Sequence, residues 1–224
     1  MAQTLAFDVY GTLIDTQGIT RLLERRLGGG AGGFAAAWRE KQLEYTFRRG
    51  LMRSYATFEV CTAQALDHVL ARSGFALSAE DRLEILDAYQ ELPAFVDVRE
   101  GLRRVSEAGF RLFAFSNGTA RQVRQVLAHA GILEAFQDVV SVDEVQSFKP
   151  DPAVYAHFLR RTAARAAEAW LVSSNPFDVL GALSAGMQAA WVKRSPEAIL
   201  DPWGLDPALV VDDLAQLAEQ LGSA

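Results

Sequence analysis

Two kinds of hydrophobic pattern alternate along the chain, short apolar runs rich in β-branched and aromatic residues and longer stretches with apolar residues every three or four positions. The first kind predicts strands over residues 4–8, 110–115, 138–141, 169–173, 189–192 and 209–211. Each run ends in small or polar residues and leads into a helical pattern, the order expected of a parallel sheet wrapped by helices. Between the first and second runs the strands vanish, and helical patterns follow one another over 17–27, 34–49, 55–72 and 78–90. The pattern therefore predicts an α/β fold with a core made from residues 1–14 and 94–224 and a helical cap subdomain, residues 15–93, inserted after the first strand. Its exit at Leu92-Pro93 is a predicted hinge, since proline disfavours helix in the residue before it.

The glycine-rich segment Gly28-Gly29-Gly30-Ala31-Gly32-Gly33 matches a dinucleotide-binding fingerprint only as a bare string. That fingerprint needs a strand before it and a helix after it, so that pyrophosphate meets a helix N-terminus, whereas this run follows a helical pattern. A flexible helix–helix connection is the expectation, and no nucleotide cofactor is implied.

Composition narrows the class. The chain has 224 residues, 50% of them hydrophobic, enough for one sizeable core with a smaller inserted domain. The formal charge of -6 and the scattering of arginine pairs such as Arg48/Arg49 and Arg160/Arg161 among acids argue against nucleic acid as a partner. No apolar run approaches the roughly 18 residues that a membrane span needs, and a single cysteine, Cys61, forms no intrachain disulfide. A cytoplasmic protein is expected, without a signal peptide, since the first apolar run begins at Thr4.

In open parallel sheets ligands sit outside the carboxyl ends of the strands, so polar residues that terminate apolar runs are the first candidates for a site. Asp8, Ser116-Asn117-Gly118 and Ser173-Ser174-Asn175 stand at three such ends, and Lys149-Pro150 follows another. Taken singly, Asp8 also reads as a turn residue, Ser116 or Asn175 as a helix cap, and Lys149 as a solvent-facing loop residue. Together they suit covalent chemistry: a carboxylate ionised at neutral pH needs no base to act as nucleophile, only a held electrophile and a charge partner. Lys149 lowers the cost of keeping Asp8 ionised in a partly dry pocket, while Asp178 either fixes Lys149 or orients a water. His68, His129 and His157 fall in separate helical patterns without ligand spacing.

In order and over the whole chain, Phe7-Asp8-Val9-Tyr10-Gly11-Thr12-Leu13, Ser116-Asn117-Gly118, Lys149-Pro150-Asp151 and Ser173-Ser174-Asn175 with Asp178 resemble the haloacid dehalogenase superfamily. Within it, Trp38-Arg39-Glu40-Lys41-Gln42-Leu43-Glu44-Tyr45-Thr46 is similar to a cap segment of the L-2-haloacid dehalogenase branch. The resemblance implies a Rossmann-like parallel-sheet core, a helical cap over the active site, a homodimer and a small 2-haloalkanoic acid as substrate. It implies that Asp8 attacks C2 of the substrate, and that Arg39 receives the halide from across the pocket. Without the surrounding signature, Arg39 reads as a solvated charge on an amphipathic helix. Thr12 and Tyr155 are implied as supports for Asp8 and for Lys149, and Ser173, Asn175 and Asp178 as the group that holds and activates the hydrolytic water. Ser116, Asn117 and the backbone of Val9 and Tyr10 are implied as binders of the substrate carboxylate, with Tyr10, Leu43 and Phe58 as the apolar wall, though Phe58 also reads as simple packing. Phe177 stands where the family pattern carries tryptophan, which puts pocket width and halide preference in question.

The rival within the same superfamily is a Mg²⁺-dependent phosphohydrolase. Those enzymes carry a second aspartate two positions after the nucleophile, where this chain has Tyr10, and an acidic ligand where it has Ser173-Ser174-Asn175. A hard divalent cation prefers several oxygen ligands, usually with more than one carboxylate, so no metal is expected. A non-catalytic anion sensor would leave Asp8, Arg39, Lys149 and Asp178 without a joint chemical purpose.

Overall fold

The computed structural model describes residues 3–221. Six strands, β1 (Thr4–Phe7), β2 (Arg111–Ser116), β3 (Asp138–Ser141), β4 (Ala169–Ser173), β5 (Gln188–Val192) and β6 (Leu209–Val211), form one parallel sheet in the order β3-β2-β1-β4-β5-β6. Every residue of β1 is buried, which is why its sequence is continuously apolar after Thr4 rather than alternating. Phe7 lies beside Ala114 of β2 on one side and Val172 of β4 on the other. The chain leaves β1 toward β2 and β3 and later returns on the opposite side as β4, so the connections diverge between β1 and β4. At such a switch point a crevice opens beyond the strand ends, and Asp8 and Ser174 are the residues that follow there. The strand expected to run to Asp8 ends at Phe7, although the Asp8 N–H still bonds the Val172 carbonyl at 3.0 Å.

Four helices lie between β1 and β2 ahead of α5 (Val98–Glu107): α1 (Gln17–Leu27), α2 (Ala31–Met52), α3 (Phe58–Ser73) and α4 (Ala79–Asp87). The row Phe34, Trp38, Gln42 and Thr46 is the buried face of α2, at the four-residue spacing that stacks side chains on a helix. The glycine-rich segment departs from expectation. Only Gly28–Gly30 connects the two helices, as a single 3-10 turn, while Gly32 and Gly33 lie in the first turn of α2. Burial of Ala31 and Phe34 at the start of α2 outweighs the poor intrinsic helix propensity of glycine. Helices α3 and α4 begin later than the periodicity predicts, because Thr57 and Ser78 act as N-caps, accepting from the N–H groups of Val60 and Asp81.

The segments entering and leaving this helical block pair with each other. Asp15 N–H donates to the Pro93 carbonyl at 2.8 Å and Phe95 N–H to the Leu13 carbonyl at 3.0 Å, around an antiparallel bridge between Ile14 and Ala94. The remaining helices are α6 (Ala120–His129), α7 (Pro152–Thr162), α8 (Pro176–Ser184) and α9 (Leu214–Leu221); α5 packs on α9 and α7 on α8. Gly181 is needed for the second of these contacts, since a Cβ there would collide with the Tyr155 hydroxyl. No helix among the described residues is long and apolar enough to cross a membrane.

Candidate active site

The loop after β1 turns back on itself: the Val9 carbonyl accepts from the N–H groups of Thr12, Leu13 and Ile14, and Gly11 takes a positive φ of 85° that only glycine adopts freely. This turn brings the Thr12 hydroxyl to Asp8 Oδ2 at 2.8 Å. Two further donors from the end of β4 meet the same oxygen, Ser173 Oγ at 3.3 Å and Asn175 Nδ2 at 2.7 Å. Ser174 locks the two loops together, donating its hydroxyl to the Gly11 carbonyl at 2.7 Å and its N–H to Thr12 Oγ1 at 2.9 Å. Asp8 Oδ1, by contrast, meets only Lys149 Nζ among the described residues, at 3.2 Å.

The two carboxylate oxygens are therefore unequal. Three donors saturate the lone-pair sites of Oδ2, whereas Oδ1, with one donor among the described residues, keeps accepting capacity.

Lys149 is 1% exposed, and its ammonium is held from three directions: Asp178 Oδ2 at 2.7 Å, the Phe115 carbonyl at 2.8 Å and Asp8 Oδ1. The Phe115 ring lies beneath it, 4.2 Å from Nζ to the centroid. All three protons of a buried ammonium are thereby satisfied, the condition for keeping such a charge out of water. Asp178 is fully buried; its second oxygen accepts from the Tyr155 hydroxyl at 2.8 Å. Burial pushes the Asp178 carboxyl up to about 6, with Asp8 adding to the rise and Lys149 opposing it. Tyr155, expected as a support for Lys149, bonds Asp178, whose other oxygen holds the lysine, because α7 is docked against α8 at Gly181. Asp178 likewise meets Asp8 through Lys149, since both of its oxygens are already engaged.

The expected anion-binding groups have spare donors. Asn117 accepts from the Lys149 N–H through Oδ1 at 2.9 Å, which orients the amide and leaves Nδ2 unpaired among the described residues. Ser116 Oγ accepts from the Gly118 N–H at 3.1 Å and keeps its own proton to donate. The N–H groups of Val9 and Tyr10 have no acceptor among the described residues.

From the helical block, Phe58 stacks on Tyr10 at 5.9 Å, and Tyr89 closes on the same ring edge-on at 6.3 Å. Arg39 and Tyr89 line the same cavity; burial pushes the hydroxyls of Tyr10 and Tyr89 up, and the positive charge of Arg39 opposes the rise at both. Leu43, four residues further along α2, is half-buried and lies outside the main apolar core. Phe177 is half-buried and meets Phe47 of α2 edge-on at 5.2 Å.

Gln42 and Phe47 are functional candidates that the sequence reasoning passed over. Gln42 is fully buried, accepts from Arg39 Nη1 at 2.7 Å through Oε1 and donates to Thr62 Oγ1 at 2.5 Å. The available signal was a long polar side chain falling four residues after Trp38 on the buried row of α2. Among the described residues no group of three or more His, Cys, Asp or Glu is placed to hold a metal ion.

The chain is similar to known proteins over nearly its whole length. Residues 2–186 match the family model described as haloacid dehalogenase-like hydrolase. The chain is 34% identical to the (S)-2-haloacid dehalogenase of Pseudomonas sp. (strain YL), over 98% of this chain and 94% of that protein. It is 37% identical to (S)-2-haloacid dehalogenase 1 of Pseudomonas sp. (strain CBS-3), over 84% of this chain and 83% of that one. Among solved structures, the L-2-haloacid dehalogenase from Xanthobacter autotrophicus with chloropropionic acid covalently bound superposes with a TM-score of 0.91 at 30% identity, covering 99% of this chain and 98% of that one.

Proposed function

The chain belongs to the haloacid dehalogenase-like hydrolase family, and from that premise we propose that it hydrolyses (S)-2-haloacids to (R)-2-hydroxy acids and halide through an ester formed on Asp8. It is a hydrolase acting on carbon–halide bonds, the activity for which its relatives are named. The observation that carries the mechanism is the asymmetry of the Asp8 carboxylate. Oδ1, held by Lys149 alone, attacks C2 from the side opposite the halogen, which inverts the carbon and releases halide. Oδ2 then becomes the ester carbonyl and is already seated on Thr12, Ser173 and Asn175. When water adds to that carbonyl, the same three donors receive the developing oxyanion, so the second step needs no rearrangement.

Arg39 receives the departing halide; its bond to Gln42 engages one nitrogen of the guanidinium and leaves the other donors free for an anion. Asn117, Ser116 and the Val9 and Tyr10 amides hold the substrate carboxylate, which fixes C2 in line between Asp8 and Arg39. Residues 15–93 act as the cap that excludes water during the displacement. The proton of the attacking water reaches Asp178 by relay: Lys149 gives a proton to Asp178 Oδ2 as it takes one from the water. Ester formation removes the negative charge of Asp8, one of the causes that raise the Asp178 carboxyl, and so favours its ionised form at that moment. The reaction uses no metal and no cofactor, and the protein works in the cytoplasm as a homodimer; a reducing compartment suits the single buried Cys61.

Chloride release from (S)- and (R)-2-chloropropionate with EDTA present, run beside a Mg²⁺-supplemented phosphatase assay, tests this reading. Release from the (S) isomer alone, indifferent to EDTA, is expected. Mg²⁺-dependent phosphate release without halide would assign the chain to the phosphohydrolases.

A pH profile adds a second expectation. Asp178 must be ionised both to pair with Lys149 and to accept a proton, and protonation removes that form. The kcat/KM, which reports the free enzyme, is therefore expected to fall as pH drops through about 6, with a slope of one proton. A rate independent of pH between 5 and 8 would remove Asp178 from the mechanism.

A further inference from the structure

Arg194, just beyond β5, belongs to no part of the chemistry described above, yet it holds the backbone of the nucleophile loop. Its Nε and Nη2 donate to the Thr12 carbonyl at 3.1 and 2.7 Å, and Nη1 pairs with Asp97 Oδ1 at 2.8 Å. The guanidinium lies over the Phe95 ring, 4.2 Å from its centroid. Asp97 in turn accepts from the Leu214 N–H at 2.8 Å, which ties the assembly to the start of α9. The side chains of Arg194 and Asp97 are 13% and 14% exposed, so the pair is shielded from the screening that makes surface ion pairs weak.

What these contacts join is specific. Thr12 carries the hydroxyl that donates to Asp8 Oδ2. Phe95 and Asp97 belong to the segment returning from the helical block, and Phe95 N–H bonds Leu13, the neighbour of Thr12. A planar fork is needed here: two nitrogens on one carbonyl, a third on a carboxylate and a flat face on an aromatic ring are beyond the reach of an ammonium.

We propose that Arg194 is a positioning residue for the nucleophile, setting the Thr12 hydroxyl on Asp8 Oδ2 and tying that setting to the segment that returns from the helical block. The inference rests on the dehalogenase reading above. It requires that the loss caused by removing Arg194 pass through the Thr12 hydroxyl rather than through general loosening of the fold.

The test is a double-mutant cycle on kcat for (S)-2-chloropropionate with the wild type, Arg194→Met, Thr12→Val and the double variant. Arg194→Met is expected to lower kcat by roughly ten- to a hundredfold, the range for losing hydrogen bonds from a charged group, with KM within about threefold. In the Thr12→Val background the same substitution is expected to cost little further. Arg194→Lys should recover only a small part of the loss, and if Arg194→Met does not fold, the lysine variant completes the cycle with the same prediction. Multiplicative losses in the double variant, or a rise in KM with kcat intact, would overturn the proposal. The wild type separates the two readings: no halide release from it refutes the dehalogenase, whereas turnover with multiplicative losses refutes only the role of Arg194.

Discussion

Asp8→Asn is expected to lower chloride release from (S)-2-chloropropionate by at least about a thousandfold while leaving the fold intact. The reason lies in how the site would orient the new amide. Thr12, Ser173 and Asn175 all donate to one oxygen of Asp8, so the amide carbonyl takes that place and the NH₂ group falls where Oδ1 stood. An amide nitrogen has no lone pair available for displacement at saturated carbon. The fold survives because the charge of Lys149 still has Asp178 and the Phe115 carbonyl as partners. Circular dichroism would verify the fold, and intact-mass measurement would exclude deamidation back to aspartate. Wild-type rates from an undeamidated Asp8→Asn variant would end the nucleophile assignment.

Lys149→Met is expected to inactivate the enzyme and also to destabilise it, by about 3–5 kcal/mol at pH 8, because it strands charge in the interior. The lysine is 1% exposed and stands between Asp8 and Asp178. Without it, Asp178 loses the neighbour that holds its carboxyl down, and burial raises it beyond about 6. A carboxyl raised above its unfolded value takes up a proton more readily in the folded state, so its contribution to stability is present at low pH and lost as pH rises through the folded value. The deficit of the variant should therefore shrink as pH falls from 8 toward 5, measured by urea unfolding at each pH. A deficit that stays constant with pH would mean that Asp178 is not the stranded charge.

The sheet and the polar ends of its strands were readable from residue order, since buried parallel strands are continuous apolar runs and the chemistry sits where they stop. Asp8, Ser173, Asn175 and Lys149 converge for that reason. What the sequence does not carry is which atom meets which. That Tyr155 acts on Lys149 by way of Asp178 depends on the close α7–α8 contact permitted by Gly181. The helical start at Ala31 was hidden because local propensity reads Gly32 and Gly33 as a break, and only burial against the rest of the block outweighs it. Arg194 gave no signal at all, since a lone arginine after a strand looks like any solvated charge until its carbonyl, carboxylate and ring partners are assembled from distant segments.

The central claim, that Asp8 itself supplies the new oxygen, is tested most directly by a single turnover of excess enzyme with (S)-2-chloropropionate in ¹⁸O water. Unlabelled lactate and ¹⁸O in the peptide that contains Asp8 are expected, because water enters at the ester carbonyl and not at C2. Lactate carrying the label, with an unlabelled Asp8 peptide, would show that water attacks the substrate directly and would contradict the account.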